Sequence, residues 1–185
     1  MARASHPPGY PDGYDLRLRL DDGRRVQVRP ILPSDADELA EAIRTADPET
    51  LRARFLGATP RITPALLDSL TRLDYTSRFA LVARAHRHGV AIARYVSSPA
   101  EPGTRVTAEV AAAVDPEWRR VGLATRLLRL LARRATECDI GTFTVLFSAT
   151  NRPVAELARD VHARLFIADG LARFEIPLDT LPADL

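Results

Sequence analysis

Residues 108–135, AEVAAAVDPEWRRVGLATRLLRLLARRA, hold a strand, a turn and a helix in direct succession. Val106, Ala108, Val110, Ala112 and Val114 fall on one face of a strand over 105–114, and Thr107, Glu109, Ala111 and Ala113 on the other. Asp115-Pro116 ends the strand. From Leu123 the apolar period lengthens to that of a helix: Leu123, Leu127, Leu130, Leu131 and Ala135 form one stripe, while Arg126, Arg129, Arg133 and Arg134 project outward. Gly122 stands at the helix start. The first amides of a helix lack acceptors within it, and the helix dipole adds partial positive charge there. A glycine lets an anion approach that backbone, and Arg119, Arg120 and Arg126 bring guanidinium groups to the same end. A phosphate fits such a place, although a glycine and arginines at a helix start are common in themselves.

Working outward, 79–83 (FALVA) and 90–96 (VAIARYV) read as strands joined by a turn at His86–Gly89. Further back, Leu16, Leu18 and Leu20, then Asp21-Asp22-Gly23, then Val26 and Val28 make a hairpin. Helices follow from Pro33-Ser34-Asp35, with Ser34 as cap, from Asp47-Pro48 and from Thr63-Pro64. On the other side come a strand over 142–147, a helix from Asn151-Arg152-Pro153 and a hairpin around Asp169-Gly170. An antiparallel meander feeding a strand–helix–strand unit predicts an α/β fold with a mixed, mostly antiparallel sheet and helices on both faces. The expected organisation is a flexible tail over 1–14, a single domain over 15–180 and a short tail over 181–185.

Composition narrows the function classes. No apolar run reaches membrane-span length, and the first residues carry Pro, Gly and charge rather than a signal sequence. Together with the single cysteine, Cys138, this predicts a cytoplasmic protein that associates with no membrane. All 26 basic residues are arginine, so no side-chain amine is available for self-modification. The arginines are interspersed with 24 acidic residues, which argues against a nucleic-acid partner. His86 and His88 flank a turn without further ligands nearby in sequence, so no metal site is expected.

The motif Arg119-x-x-Gly122-x-Ala124, between an apolar strand and an amphipathic helix, resembles the acyl-CoA pyrophosphate motif of the GNAT superfamily of N-acyltransferases. Asn151-Arg152-Pro153 after the next strand matches the position of an Asn that faces the pantetheine arm in that superfamily. The order of elements from Asp22 to Leu178 follows it over nearly the whole chain. More narrowly, DDGRRVQVRPILPSDADEL at the start, Ala93–Tyr95, Ala108–Ala111 and Asn151–Pro153 look like the catalytic domain of bacterial protein lysine acetyltransferases.

The resemblance implies a splayed central strand pair, with acetyl-CoA bound where the strand ending at Val114 parts from the one beginning at Thr142. Backbone groups of Ala112, Ala113 and Val114 would meet the pantetheine. The amides of Arg120, Val121, Gly122, Leu123, Ala124 and Thr125, beside Arg119, would hold the pyrophosphate, and Asn151 would face the pantetheine arm. An amine would then attack the thioester directly, with Glu109 as general base. On residue chemistry alone Glu109 has two roles open to it: a partly desolvated base with a raised pKa, or a structural carboxylate paired with Arg94. Tyr95 is a weaker candidate for shaping the acceptor site, or a core aromatic.

The chain also departs from the pattern. Ala158 stands where many members carry a Tyr that protonates the departing thiolate, which leaves that role to solvent or Tyr75. Val121 occupies a frequently basic position. The expected acceptor is a protein lysine or a small amine, and the expected state a monomer or homodimer. The competing expectation is a weak or silent acyl-CoA-binding module.

Overall fold

The computed structural model describes residues 6–48, 51, 60–86, 88–99, 104–148, 164–168 and 171–181. Alternating residues build its first hairpin. β1 (Leu16–Arg19) pairs antiparallel with β2 (Arg25–Pro30), in which Val26 and Val28 turn inward and Arg25 and Gln27 outward. Gly23, at φ +86°, supplies the left-handed residue of the intervening turn. β3 (Arg78–Ala85), β4 (His88–Ser98) and β5 (Val106–Val114) extend the sheet antiparallel. β6 (Ile140–Ser148) joins β5 parallel, and β8 (Leu171–Pro177) and β7 (Arg164–Ala168) complete the order β1-β2-β3-β4-β5-β6-β8-β7. The mixed, mostly antiparallel sheet is the one expected.

Three α-helices lie among the described residues: α1 (Ala36–Thr45), α2 (Pro64–Thr71) and α3 (Leu123–Glu137). α3 forms the crossover between β5 and β6. It buries Leu123, Leu127, Leu131 and Ala135 in the main core with Phe79, Leu81, Ala83, Ala93 and Tyr95. Those five exclude water almost completely, which favours burial by about 25 cal/mol per Å² of apolar surface. α1 covers the opposite face, over Val82 and Ile92, so helices flank the sheet on both sides.

The expected cap on α1 is not the one used. No side chain caps α1, and the Asp35 carboxylate instead accepts the Leu32 amide at 2.7 Å and both Arg29 terminal nitrogens at 2.6 and 2.7 Å. Thr63 does cap α2, accepting the Leu66 amide at 3.1 Å ahead of Pro64. The expected tail over 1–14 needs correcting for residues 6–14. Tyr10 and Tyr14 are buried and stack edge-on against Tyr75 and Phe79, with ring centroids 5.5 and 5.4 Å apart. Two aromatic rings hold this segment to the core. The helices expected from Asp47 and Asn151 and the turn at Asp169-Gly170 fall wholly or largely outside the described residues.

Candidate active site

The two edges of β5 differ. Towards β4 it is laddered from Thr107, opposite Ser98, to Val114, opposite Ala91. Towards β6 its register runs only from Val106, opposite Ile140, to Glu109, opposite Thr144. β6 then continues along β8 to Ser148. The two central strands therefore part beyond Glu109 and Thr144, and the splay implied by the resemblance is present.

The phase of the ladder decides which peptide groups face this fork. The Asp115 amide donates to Val90 O at 2.9 Å. Alternation along the strand then turns the peptide groups of Ala113 to β4, and those of Val110, Ala112 and Val114 to the fork. Of the three residues expected to meet pantetheine, Ala112 and Val114 present backbone there. Ala113 contributes its side chain to the opposite face of the sheet. The Val114 carbonyl already accepts Arg119 Nε at 3.1 Å. Arg119 also lies 3.6 Å from Asp47, so its guanidinium bends back over the end of β5.

Glu109 sits where the ladder ends, exposed, on the same face as Thr144. The expected partial desolvation is not seen. Among the described residues no hydrogen bond or ion pair engages its carboxylate. Thr144 was not singled out from the sequence. It is buried at the fork and its hydroxyl donates to Ala108 O at 3.4 Å, bridging the strands just before they part. Its only sequence signal was a threonine within an apolar strand.

The start of α3 forms a cradle. Gly122 is its N-cap residue with φ +76° and ψ 2°, and Arg120 also has a positive φ of 58°. No side chain caps this helix, so the amides of Leu123, Ala124 and Thr125 face outward without intrahelical acceptors. The Leu123 side chain is buried and Val121 packs against the core, while Arg119 and Arg120 are exposed. The backbone of this turn can hold an anionic group, as its left-handed residues and open amides require. Asn151 lies outside the described residues.

A cavity of about 370 Å³ opens between α1 and the sheet. Ile31, Leu39, Ile43, Val82, Ile92 and Ala113 give it apolar walls. Asp35, Glu38, Asp47, Arg84 and Asp115 are the charged residues of its lining, with Arg84 2.9 Å from Glu38. Ala113 and Glu109 share one face of β5, so the cavity lies along the strand from the fork.

Two tyrosines leave the list of candidates. Tyr75 is fully buried and its hydroxyl donates to Ile31 O at 3.0 Å, so it serves the core and not a departing thiolate. Tyr95 is equally buried and donates to Thr76 O at 2.9 Å. Burial pushes both phenols above their ordinary pKa. Trp118 carries Arg24 over its ring at 4.1 Å and anchors the turn before α3. Among the described residues no helix is long and apolar enough to cross a membrane.

Comparison with known proteins gives the family and the fold. The model of the Acetyltransferase (GNAT) family matches residues 44–164. Acetyltransferase PA5475 of Pseudomonas aeruginosa is 34% identical over 142 residues, 75% of this chain and 74% of that protein. The GNAT domain of S. lividans PAT superposes with a TM-score of 0.82 at 27% identity, covering 91% of this chain and 99% of that domain. The protein yncA of Salmonella typhimurium, solved with its cofactor acetyl-CoA, shares the fold at 17% identity and a TM-score of 0.63, with 85% of this chain and 96% of that chain covered.

Proposed function

The chain belongs to the Acetyltransferase (GNAT) family, and from that premise we propose that it moves the acetyl group of acetyl-CoA to a primary amine, a protein lysine first among candidates, with Glu109 as general base. The fork of β5 and β6 carries the proposal. It sets an acidic side chain at the point where the strands part, and open peptide groups along the edge that leads to the α3 cradle. Acetyl-CoA, as substrate, would lay its pantetheine against the peptide groups of Ala112 and the amide of Val114. Its diphosphate would take the amides of Gly122–Thr125.

In this reaction the neutral amine nitrogen adds to the thioester carbonyl carbon. The C–N bond forms, the C–S bond breaks, and the sulfur leaves as a thiolate. Glu109 accepts the proton that the nitrogen sheds, directly or through one water. With Tyr75 committed to the core, water would protonate the thiolate, a tolerable leaving group near neutral pH. The cavity beneath α1, apolar-walled with acidic residues in its lining, would take a substituent of the amine beside the fork.

The test combines calorimetry with acetyl-CoA and thiol release in the presence of lysine peptides or small amines. Glu109→Gln should bind acetyl-CoA as the wild type does and transfer about 10²–10³-fold more slowly. A variant as fast as wild type would remove Glu109 as base. Wild-type protein that binds acetyl-CoA and acetylates no amine would instead mark a binding module.

A further inference from the structure

The cradle at the start of α3 already has an anion over it. The Asp21 carboxylate, from the turn between β1 and β2, pairs with Arg126 at 2.9 Å. A side chain built on Gly122 would meet Arg126 Nη1 and Asp21 Oδ2 closer than van der Waals contact, with Asp21 Cγ at 3.1 Å. The ion pair thus stands directly over the residue whose missing side chain opens the cradle.

Three contacts dock this turn on the segment before α3. The Asp21 amide donates to Val121 O at 3.3 Å, Arg24 Nη2 donates to Glu117 O at 3.0 Å, and the Arg24 guanidinium lies over Trp118. Asp22 steadies Arg24 by accepting its amide at 3.0 Å and its Nε at 2.5 Å. The turn and the cradle are far apart in sequence, so the fold alone brings an acidic side chain to a place built for anions.

We propose that Asp21 is an internal competitor for the acyl-CoA diphosphate: it holds Arg126 in the free protein and yields it when the diphosphate enters. The proposal rests on the diphosphate site proposed above. A carboxylate carries one charge and two acceptor oxygens, whereas a diphosphate brings more of both to the same guanidinium and the open amides. The Asp21–Arg126 pair is solvated, with side-chain exposures of 62% and 30%, and such pairs are weak enough to exchange. Arg126 thereby becomes a diphosphate-binding residue that is oriented before the ligand arrives.

Calorimetry of acetyl-CoA and of inorganic diphosphate tests this on folded wild type, Asp21→Asn and Glu117→Gln. Glu117→Gln makes the same change in charge at an exposed side chain on the segment before α3, and leaves the backbone carbonyl that Arg24 uses in place. Asp21→Asn should bind both ligands about three- to fivefold more tightly, as expected for release of one exposed ion pair. Glu117→Gln should stay near wild-type affinity. If Asp21→Asn binds no tighter, or more weakly, Asp21 only positions Arg126 and the competition is overturned. Equal tightening by Glu117→Gln would trace the effect to net charge and overturn it as well. Folded wild type and variants that all fail to bind acetyl-CoA would remove the diphosphate site itself, and the proposal with it.

Discussion

Arg29–Asp35, beneath α1, and Arg126–Asp21, above α3, bring together the same two functional groups in opposite surroundings. Asp35 is buried and receives both Arg29 terminal nitrogens, the Leu32 amide and a more distant Arg84 at 3.7 Å. Burial pushes its carboxyl up, but the Arg29 and Leu32 hydrogen bonds outweigh that, and it titrates below its ordinary value. Asp21 has one arginine contact and open water beside it. The attraction between the charges is similar; access of solvent is not. Where water cannot replace a lost partner, an ion pair becomes part of the framework. Where water or a ligand can replace it, the pair can be exchanged.

The largest way to sharpen this contrast is Asp35→Ala. It strands the half-buried Arg29 and should cost about 3 kcal/mol of stability in urea unfolding. A loss below about 1 kcal/mol would place both pairs in one class.

Acid probes the same partner without mutation. Asp35 has a folded pKa below its unfolded one, so its contribution is fully present above the unfolded value, near 4, and is lost as pH falls through the folded value. Asp74 behaves alike. Burial raises its pKa, but bonds from the Ser77 hydroxyl and the Arg78 and Thr76 amides outweigh this and bring it to about 2. Unfolding free energy should therefore decline from about pH 4 towards 2. A flat profile there would contradict both assignments.

Gly122→Ala should cost about 1–2 kcal/mol, because a side chain at φ +76° is strained, and the new methyl must also displace the Asp21–Arg126 pair. Its acetyl-CoA affinity should fall in calorimetry; unchanged affinity would separate the cradle from the diphosphate. The smallest effect expected is that of Asp21→Ala on stability, within about 0.5 kcal/mol. A much larger loss would show that the upper pair, too, belongs to the framework.

How far the sequence reached depended on the distance between interacting residues. The strand through Val114, the turn and the helix from Leu123 were legible because each is written in local periodicity. Gly122 was legible because a helix start is a local event. Tyr75 looked eligible for proton transfer until the fold enclosed it and gave its hydroxyl to Ile31, 44 positions earlier. Tyr10 and Tyr14 looked like part of a tail because a Pro- and Gly-rich segment shows no period, yet their rings close the core. Thr144 showed only as a threonine within an apolar strand, because its role depends on where a neighbouring strand stops pairing.

The sequence by itself determined the strands and helices among the described residues, the glycine at the head of α3 and the acidic residue on β5. These follow from side-chain shape and spacing within one segment. Only the tertiary structure decided that β5 and β6 part just beyond Glu109, which peptide groups face the gap, and that Asp21 lies over Gly122. Each of these depends on register and on contacts between residues far apart in the chain, which no local periodicity encodes.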